Sequence, residues 1–380
     1  MKTKLQLGFM VVLMMFPQFV ETIYSPALPS ITQHFQVTET QALLTISTYF
    51  IAFAFGVIWW GIQSDYIGRR KAMIWGLSTY MVASLVALVA PTFEIVLVAR
   101  VMAAFGIAVG SVITQTMMRD VYTGAELSKV FSIMGIALSI SPVLGLLLGG
   151  LTVSTFAHFG VFALLAALAL VLVIKAYFQL PETKQTQDKI TRTALFALAK
   201  KMYTDRSIWR YALLVMSYNV LLFSYYSFAP FIFESNGYDA SVYGYSGVIL
   251  ALGSFVGSYF NKIGLSKGIS GNTLIRGSAI LALSSAGIAS VLVDSMWFLL
   301  PVLLIVASFG MAIPNILSQA LVHYKTAIGS AGALFGLLYY LLIGLGLYCS
   351  SLLSNFGWVL LLFATIALLL AMGLPRKKSN

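Results

Sequence analysis

Charged residues are scarce in this sequence: they make up 9% of it, whereas hydrophobic residues make up 59% and the mean hydropathy is +0.92. Soluble globular domains carry about 25% charged residues, so composition alone excludes that class. A single cysteine, Cys349, excludes an intramolecular disulfide. The sequence has no Gly-Lys-Ser/Thr phosphate loop and no His/Cys cluster, because its three histidines are scattered near the edges of the predicted spans. These absences argue against ATP-driven transport and against a metal centre.

What the sequence does contain is a series of apolar stretches of roughly 18 to 25 residues, the length that crosses about 30 Å of hydrocarbon as an α-helix. In lipid the backbone must satisfy its own hydrogen bonds, and the short-period alternation of a β-barrel is absent from these stretches. The sequence therefore predicts an all-α polytopic membrane protein with 12 transmembrane helices. The predicted spans are 7–30, 42–63, 72–90, 93–117, 129–150, 157–179, 210–233, 241–261, 273–293, 296–320, 327–350 and 355–374.

The distribution of charge around these spans is one-sided. Every Lys and Arg except Arg100 falls at the termini or in loops on one side, and the net charge is +11. The charged residues of the loops on the other side are all acidic: Glu39, Glu94, Glu234, Asp239 and Asp294. By the positive-inside rule, we expect both termini of this multi-pass protein to be cytoplasmic. The expected location is the inner (cytoplasmic) membrane of a bacterium. The basic residues then face anionic lipid and the cytoplasm, and no nucleic-acid partner is predicted.

One long polar stretch, 181–209, divides the sequence into halves of about six spans each. We therefore predict an N-terminal six-helix bundle over 1–180, a cytoplasmic linker over 181–209, and a C-terminal six-helix bundle over 210–380. Within the linker, residues 194–203 have helical spacing of apolar and basic residues, which predicts a helix along the membrane surface. A flexible linker is the alternative.

The two halves share a glycine pattern that indicates an internal repeat. The copies have identical spacing, with an acid in the first replaced by its amide in the second: Gly61, Asp65 and Gly68 after span 2, and Gly257, Asn261 and Gly264 after span 8. The same position in both halves favours duplication over chance, and thus two pseudo-symmetric bundles.

The first copy belongs to a longer motif, GIQSDYIGRRK over 61–71, in which two glycines allow a tight turn between spans. This segment resembles the signature loop of the major facilitator superfamily. Three further segments resemble motifs of its bicyclomycin-resistance (Bcr/CflA) drug:H+ antiporters: the proline motif at 22–31, the fourth-span motif at 100–122 and the antiporter motif at 141–150. Together these four segments cover most of the N-terminal half.

The resemblance implies a monomeric transporter, not an enzyme, without a cofactor and driven by the proton gradient. Its expected activity is export of small amphipathic organic molecules or drugs by alternating access, with protons and membrane lipid as partners besides the substrate. Export of a specific metabolite such as a siderophore is the alternative, and a non-transporting receptor or enzyme a remote one. The sequence departs from the family pattern at four positions, Thr22, Ala103, Ser141 and Leu146, which bears on the geometry of the proton site.

Two charged residues lie deep within the predicted spans, Glu21 in span 1 and Arg100 in span 4. Burying either charge in hydrocarbon costs at least about 2.5 kcal/mol, so both are candidates for function. At 1.5 Å per residue, Glu21 lies about 21 Å above the start of its span and Arg100 about 11 Å below the opposite end, so their depths nearly coincide. We predict that the two side chains pair and that Glu21 carries the coupled proton. A purely structural ion pair is the alternative.

A second charged group is predicted at the cytoplasmic ends of spans 2 and 4. It comprises Asp65, Arg69, Arg119 and Asp120. The resemblance implies that such residues latch the inner side in one of two alternating states, with Arg69 binding Asp120. Solvated charges without a gating role are the alternative, because exposed pairs contribute less than about 1 kcal/mol.

Substrate-binding candidates come from helical faces that carry polar or aromatic residues, since such groups are costly in contact with lipid. They are Gln18 and Ser25 in span 1, Ser111 and Gln115 in span 4, Asn219, Phe223 and Tyr226 in span 7, and Met311, Asn315 and Gln319 in span 10. The resemblance implies that these four spans line the cavity; helix packing is the alternative for each residue. The antiporter motif contributes Ser141, Pro142, Gly145, Gly149 and Gly150, whose small size permits close helix packing and a bend.

Overall fold

The structure is a computed structural model that describes residues 6–184 and 192–375. In these two ranges the regular secondary structure consists of helices alone, which confirms the predicted all-α fold class. Three parts of the sequence-based predictions lie outside the described residues: the N-terminal lysines, the middle of the linker at 185–191, and the basic tail at 376–380.

The helices are numbered in chain order. They are α1 (Leu7–Tyr24), α2 (Leu28–Phe35), α3 (Glu39–Ile67), α4 (Arg69–Leu88), α5 (Phe93–Val121), α6 (Gly124–Gln179), α7 (Arg192–Thr204), α8 (Arg206–Ser235), α9 (Ala240–Tyr245), α10 (Gly247–Ser266), α11 (Gly271–Val291), α12 (Leu299–Ala320), α13 (Ile328–Leu353) and α14 (Phe356–Met372).

Within the described residues, ten helical stretches are long and apolar enough to cross a membrane, and α14 is a shorter apolar helix of 17 residues. The predicted spans 5 and 6 are joined in α6, which has 56 residues and is interrupted at Ala157, where φ is 53° and ψ is −158°. Span 1 consists of α1 and α2, separated by a 3₁₀ turn at Ser25–Ala27. Every predicted span therefore corresponds to helix, and the protein is a multi-pass membrane protein.

Local sequence explains several helix ends. A reciprocal capping box between Thr38 and Gln41 begins α3, since each side chain satisfies a free backbone N–H of the first turn. The turn from α3 to α4 passes through Gly68 with φ of 97°, a conformation that L side chains rarely adopt. Asp205 caps α8 by accepting a hydrogen bond of 2.8 Å from the Ser207 N–H.

The described residues divide into two compact units. Unit 1 contains α1–α6 and α9; unit 2 contains α7, α8 and α10–α14. In unit 1, α5 packs against α3 and α4, and α6 packs against α1 and α4. In unit 2, α12 packs against α10 and α11, and α8 packs against α13 and α14. The short helix α9 follows the linker in the chain but belongs to unit 1.

Candidate functional site

The guanidinium of Arg100, on α5, is buried in the interior of unit 1, where the residue is 3% exposed. Its Cζ atom lies 3.9 Å from the ring centroid of Tyr24 and 4.5 Å from that of Tyr49. The negative face of an aromatic ring attracts a cation at this range, most strongly where water is excluded. The guanidinium of Arg100 therefore makes cation–π interactions with two rings, one from α1 and one from α3.

Neighbouring side chains hold both rings in place. The Tyr24 hydroxyl donates a hydrogen bond of 3.0 Å to Thr45 Oγ1. The Tyr49 ring stacks on Phe53, with centroids 6.3 Å apart and ring planes 15° apart. The Tyr49 hydroxyl is buried and has no hydrogen-bond partner among the described residues. The ring positions are thus fixed by contacts that do not involve Arg100.

Glu21, on α1, is half-buried and lies close enough to Arg100 for the two charges to interact. The direct pairing expected from their matching depths is not present, because no ion pair joins them in the part of the chain that the structure describes. The guanidinium is turned onto the tyrosine rings instead. Tyr24 and Tyr49 were not predicted from the sequence. Tyr24 could have been predicted, because it stands three residues after Glu21 and therefore next to it on the same side of the helix.

The second charged group is organised by Arg69 at the start of α4. Its side chain forms ion pairs with Asp65 and with Asp120, the latter at 3.3 Å, and donates a hydrogen bond of 2.8 Å to Ser64 Oγ. Arg69 is 9% exposed and the Asp120 side chain is also buried, so this pair is shielded from water, whereas the Asp65 side chain is 58% exposed. The contact expected between Arg69 and Asp120 is therefore present, and Asp65 shares the same cation.

The first residues of the linker complete this network. The Glu182 carboxylate accepts hydrogen bonds from the backbone N–H groups of Arg69 at 2.9 Å and Arg70 at 3.2 Å, so it caps α4. A carboxylate at a helix N-terminus satisfies free N–H groups and interacts favourably with the helix dipole. The Thr183 hydroxyl donates a hydrogen bond of 3.1 Å to Asp120. Sequence reasoning missed both contacts, since they join positions more than 60 residues apart.

Arg119, the remaining predicted member of the group, lies outside this network. Its Cζ atom lies over the ring of Phe131, 5.5 Å from the centroid, and it forms no ion pair with a described residue. Arg119 is exposed near the end of α5, whereas Asp120, the next residue, points to Arg69. Successive helix positions differ by about 100°, so two neighbours rarely serve the same site.

The substrate-binding candidates of unit 1 differ in their surroundings. Gln18, Ser111 and Gln115 are half-buried. Ser25 is completely buried, and its hydroxyl shares a hydrogen bond of 2.6 Å with the hydroxyl of Tyr243 on α9. The contact of Ser25 joins the turn after α1 to α9, as expected for the packing alternative.

The candidates of unit 2 fall into two groups. On α8, Phe223 and Tyr226 meet edge to face with centroids 5.4 Å apart, and Asn219 donates to the Val215 carbonyl at 2.8 Å. On α12, Met311 is half-buried. The other two candidates on α12, Asn315 and Gln319, make hydrogen bonds.

The hydrogen bonds on α12 are structural. The Asn315 amide donates to Asn261 Oδ1 at 2.6 Å and to the Met311 carbonyl at 2.8 Å. Gln319 donates to the Asn315 carbonyl at 3.1 Å. Asn261 is the residue that corresponds to Asp65 in the sequence repeat, so both copies of the repeat form a polar contact, with charges in unit 1 and amides in unit 2.

The antiporter motif lies on α6 and packs tightly on α1. The Ser141 hydroxyl donates to the Met15 carbonyl at 2.9 Å. A Cβ atom at Gly145 would lie 1.9 Å from Thr22 Oγ1, and one at Gly149 would lie 2.5 Å from the Ile23 carbonyl oxygen. Gly150 faces α9, where a Cβ atom would lie 2.5 Å from the Ala240 carbonyl oxygen. Pro142 lies inside α6. The small residues thus allow two helices to approach α6 at backbone distance.

A pair of histidines lies near the break in α6. The rings of His34 and His158 are 4.8 Å apart, and Ser30 Oγ lies 2.9 Å from His158 Nδ1. Among the described residues, no group of three or more His, Cys, Asp or Glu side chains is placed to hold a metal ion. The pair alone supplies at most half of a tetrahedral site.

Known proteins with related sequences and structures support one family. The sequence profile of the Major Facilitator Superfamily matches residues 9–347 of this chain. An uncharacterized transporter of Rickettsia bellii (strain RML369-C) is 33% identical over 342 residues, which cover 85% of this chain and 83% of that protein. Multidrug resistance protein D of Escherichia coli (strain K12) is 26% identical over 340 residues, covering 86% and 83%.

A solved structure extends the similarity to the fold. The crystal structure of a D-xylose-proton symporter superposes with a TM-score of 0.77 at 15% sequence identity, and the match covers 96% of this chain and 95% of that one. The helical architecture and the match of the family model over most of the sequence lead to one conclusion: the chain belongs to the Major Facilitator Superfamily, a family of transporters rather than enzymes.

Proposed function

We propose that this transporter is a proton-coupled antiporter that exports small amphipathic organic molecules across the inner membrane by alternating access. One observation carries the proposal: Glu21 lies within electrostatic range of the buried cation Arg100 inside unit 1, and no ion pair joins the two among the described residues. Ionisable groups at membrane depth are costly and are retained where they move protons or ions. A nearby cation favours the ionised form of a carboxyl group. If Arg100 moves towards or away from Glu21 when cargo binds, the protonation of Glu21 therefore changes with cargo binding.

The ion pairs of Arg69 support the alternating part of the proposal. Arg69 ties the end of α3, through Asp65, to the end of α5, through Asp120. The Asp65 pair is local, between residues four apart, whereas the Asp120 pair joins α4 to α5 and would break if these helix ends separate, which gives the latch a formed and a broken arrangement. Even a few kcal/mol of difference between the two arrangements sets the populations of the two states. We place this latch on the cytoplasmic side, with both termini, in accordance with the distribution of basic residues.

The nature of the cargo is inferred from similarity and from the environment. The resemblance to Multidrug resistance protein D favours drugs or other amphipathic molecules as cargo. The proton gradient is the proposed energy source, without a cofactor. Lipid is the proposed neighbour of the large apolar side chains that the helices leave exposed, such as Phe55, Val89 and Phe255, each more than half exposed.

Transport into proteoliposomes tests this proposal. Vesicles that are acidic inside should accumulate ethidium, a fluorescent aromatic cation, against its gradient as protons leave. Glu21→Gln keeps the size of the side chain but cannot release a proton, so the gradient-driven part of uptake should disappear. Glu94→Gln, at an exposed position at the start of α5, is the matched control and should transport like the wild type. Full gradient-driven uptake by Glu21→Gln would refute the assignment.

A further inference from the structure

The site that holds the Arg100 guanidinium is chemically suited to a cation and to little else. Nε of Arg100 is buried and has no hydrogen-bond partner among the described residues, and no described carboxylate pairs with the guanidinium. What surrounds the charge is the pair of ring faces of Tyr24 and Tyr49, at 3.9 and 4.5 Å. A guanidinium normally pairs with carboxylates and makes several hydrogen bonds when buried. Here it occupies an aromatic cage instead.

The cage does not depend on Arg100 for its shape. Thr45 fixes the Tyr24 hydroxyl, and Phe53 supports the Tyr49 ring. Both tyrosines are at most 1% exposed, so a cation between them is shielded from water. Ring faces attract any cation of suitable size, and quaternary ammonium groups are characteristic ligands of such cages. If the guanidinium left, the same two faces would remain available.

Glu21 offers the guanidinium a second position. The titratable groups whose charges interact with Arg100 are Glu21 and Tyr24 on α1, Tyr49 on α3 and Tyr80 on α4. The Tyr80 hydroxyl has no hydrogen-bond partner among the described residues, and the nearby Ser84 hydroxyl donates to the Tyr80 carbonyl. Glu21 is thus the one carboxyl in this set. Once ionised, it attracts the guanidinium as a buried carboxylate attracts any unpaired cation.

We propose that the cage of Tyr24 and Tyr49 is the binding site for the cationic group of the cargo, and that Arg100 occupies it as a tethered substitute when no cargo is bound. This inference rests on the proposed antiport and deepens it by naming the class of cargo, an organic monocation. When cargo enters the cage, Arg100 moves to Glu21, which releases its proton and forms the ion pair. When a proton returns to Glu21, Arg100 returns to the cage and displaces the cargo.

The exchange balances in charge. With Glu21 protonated and Arg100 in the cage, the site carries one positive charge. With Glu21 ionised and paired to Arg100, and a monocation in the cage, it again carries one positive charge. One proton is therefore exchanged for one cargo cation without a change in the buried charge, whose creation in a membrane interior is costly. No further charged group is required for coupling.

The test measures binding of benzyltrimethylammonium to the purified full-length protein in lipid nanodiscs by isothermal titration calorimetry, with benzoate as the probe of opposite charge. Wild-type protein should bind the cation, more tightly as pH rises, and should not bind benzoate. In Glu21→Gln the guanidinium has nowhere else to go, so binding should weaken about 10-fold or more. The double variant Glu21→Gln with Arg100→Gln vacates the cage, so binding should recover to the wild-type level or better and become independent of pH.

Ring substitutions show whether the tyrosine faces form the site. Tyr49→Phe removes the hydroxyl and keeps the π face, so binding should stay within about 3-fold of the wild type. Tyr49→Leu removes the face and should weaken binding about 10-fold. The matched control is Tyr218→Leu, which removes another fully buried tyrosine, in unit 2, and should bind like the wild type. Size-exclusion profiles and thermal unfolding confirm that each variant is folded, and the Tyr49 series provides the test if the double variant is not.

Three results would overturn the cage: a folded double variant that binds no better than Glu21→Gln, equal binding by Tyr49→Leu and the wild type, or preferential binding of benzoate. These failures differ from a failure of the proposed function. Normal cage binding without gradient-driven uptake of ethidium would contradict antiport and leave the cage in place. Gradient-driven uptake that does not depend on Tyr49 would contradict the cage and leave antiport in place.

Discussion

Gly145 provides a quantitative test of how α6 packs on α1. A Cβ atom at this position would lie 1.9 Å from Thr22 Oγ1, and 3.0 Å from both the Ile23 nitrogen and the Phe19 carbonyl oxygen. Because two of these atoms belong to backbone, Gly145→Ala cannot be accommodated by rotating one side chain, and the two helices must separate. Overpacking costs about 1–3 kcal/mol, whereas Gly→Ala within a helix gains up to about 1 kcal/mol. We expect a net loss of about 1–2 kcal/mol.

Unfolding in detergent micelles, followed by circular dichroism as the denaturant is titrated, measures this loss. The matched control is Gly135→Ala on the same helix, where no atom lies within 4 Å of the added Cβ, and this variant should be equally or more stable than the wild type. Adding Thr22→Ala to Gly145→Ala removes the closest atom and should recover at least about 0.5 kcal/mol. Equal stability of Gly145→Ala and Gly135→Ala would refute the packing.

Three further predictions concern polar contacts. Arg69→Asp and Asp120→Arg should each abolish ethidium uptake, and the two together should restore part of it; no recovery would contradict their pairing. Glu182→Gln should lower the free energy of unfolding by about 0.5 kcal/mol at low salt and by less in 1 M salt; an effect independent of salt would contradict capping. Asn315→Leu leaves Asn261 buried without its partner and should cost about 1–3 kcal/mol, whereas Asn261→Leu with Asn315→Leu should cost less; equal costs would contradict the bond.

Much of the fold follows from the sequence because lipid imposes simple rules. A span needs about 20 apolar residues and must satisfy its own backbone, so hydropathy alone locates the helices. Their ends were harder to place. The predicted spans 5 and 6 are joined in one helix, which is interrupted at Ala157. The position of this break could not be predicted, because neither a proline nor a glycine stands there.

The charged group around Arg69 was partly predictable. Its members lie within a motif whose glycines, acid and cations stand at fixed spacing, so the contact between Arg69 and Asp120 could be expected. The cap by Glu182 could not, because a contact between positions 113 residues apart leaves no local signal in the chain. For the same reason, the bond between Asn261 and Asn315 changes the interpretation of Asn315 from a cavity residue to a link between helices.

The buried site shows a different limit of sequence reasoning. Depth along two helices placed Glu21 and Arg100 at the same level, but depth does not say which way a long side chain turns. The aromatic faces of Tyr24 and Tyr49 decide that, and tyrosine is too common in this sequence, with 19 copies, to single out two of them. A lone charged residue in the apolar span 4 predicts that Arg100 is functional. The packing of the helices identifies Tyr24 and Tyr49 as the side chains that contact it.

Proton release upon binding tests the central claim, exchange of a proton for cargo at Glu21, most directly. Purified protein in weakly buffered solution with a pH-sensitive dye should release about one proton per bound benzyltrimethylammonium, because the carboxyl must ionise before it can receive Arg100. Glu21→Gln should release none. The same release from Glu21→Gln as from the wild type would contradict the account.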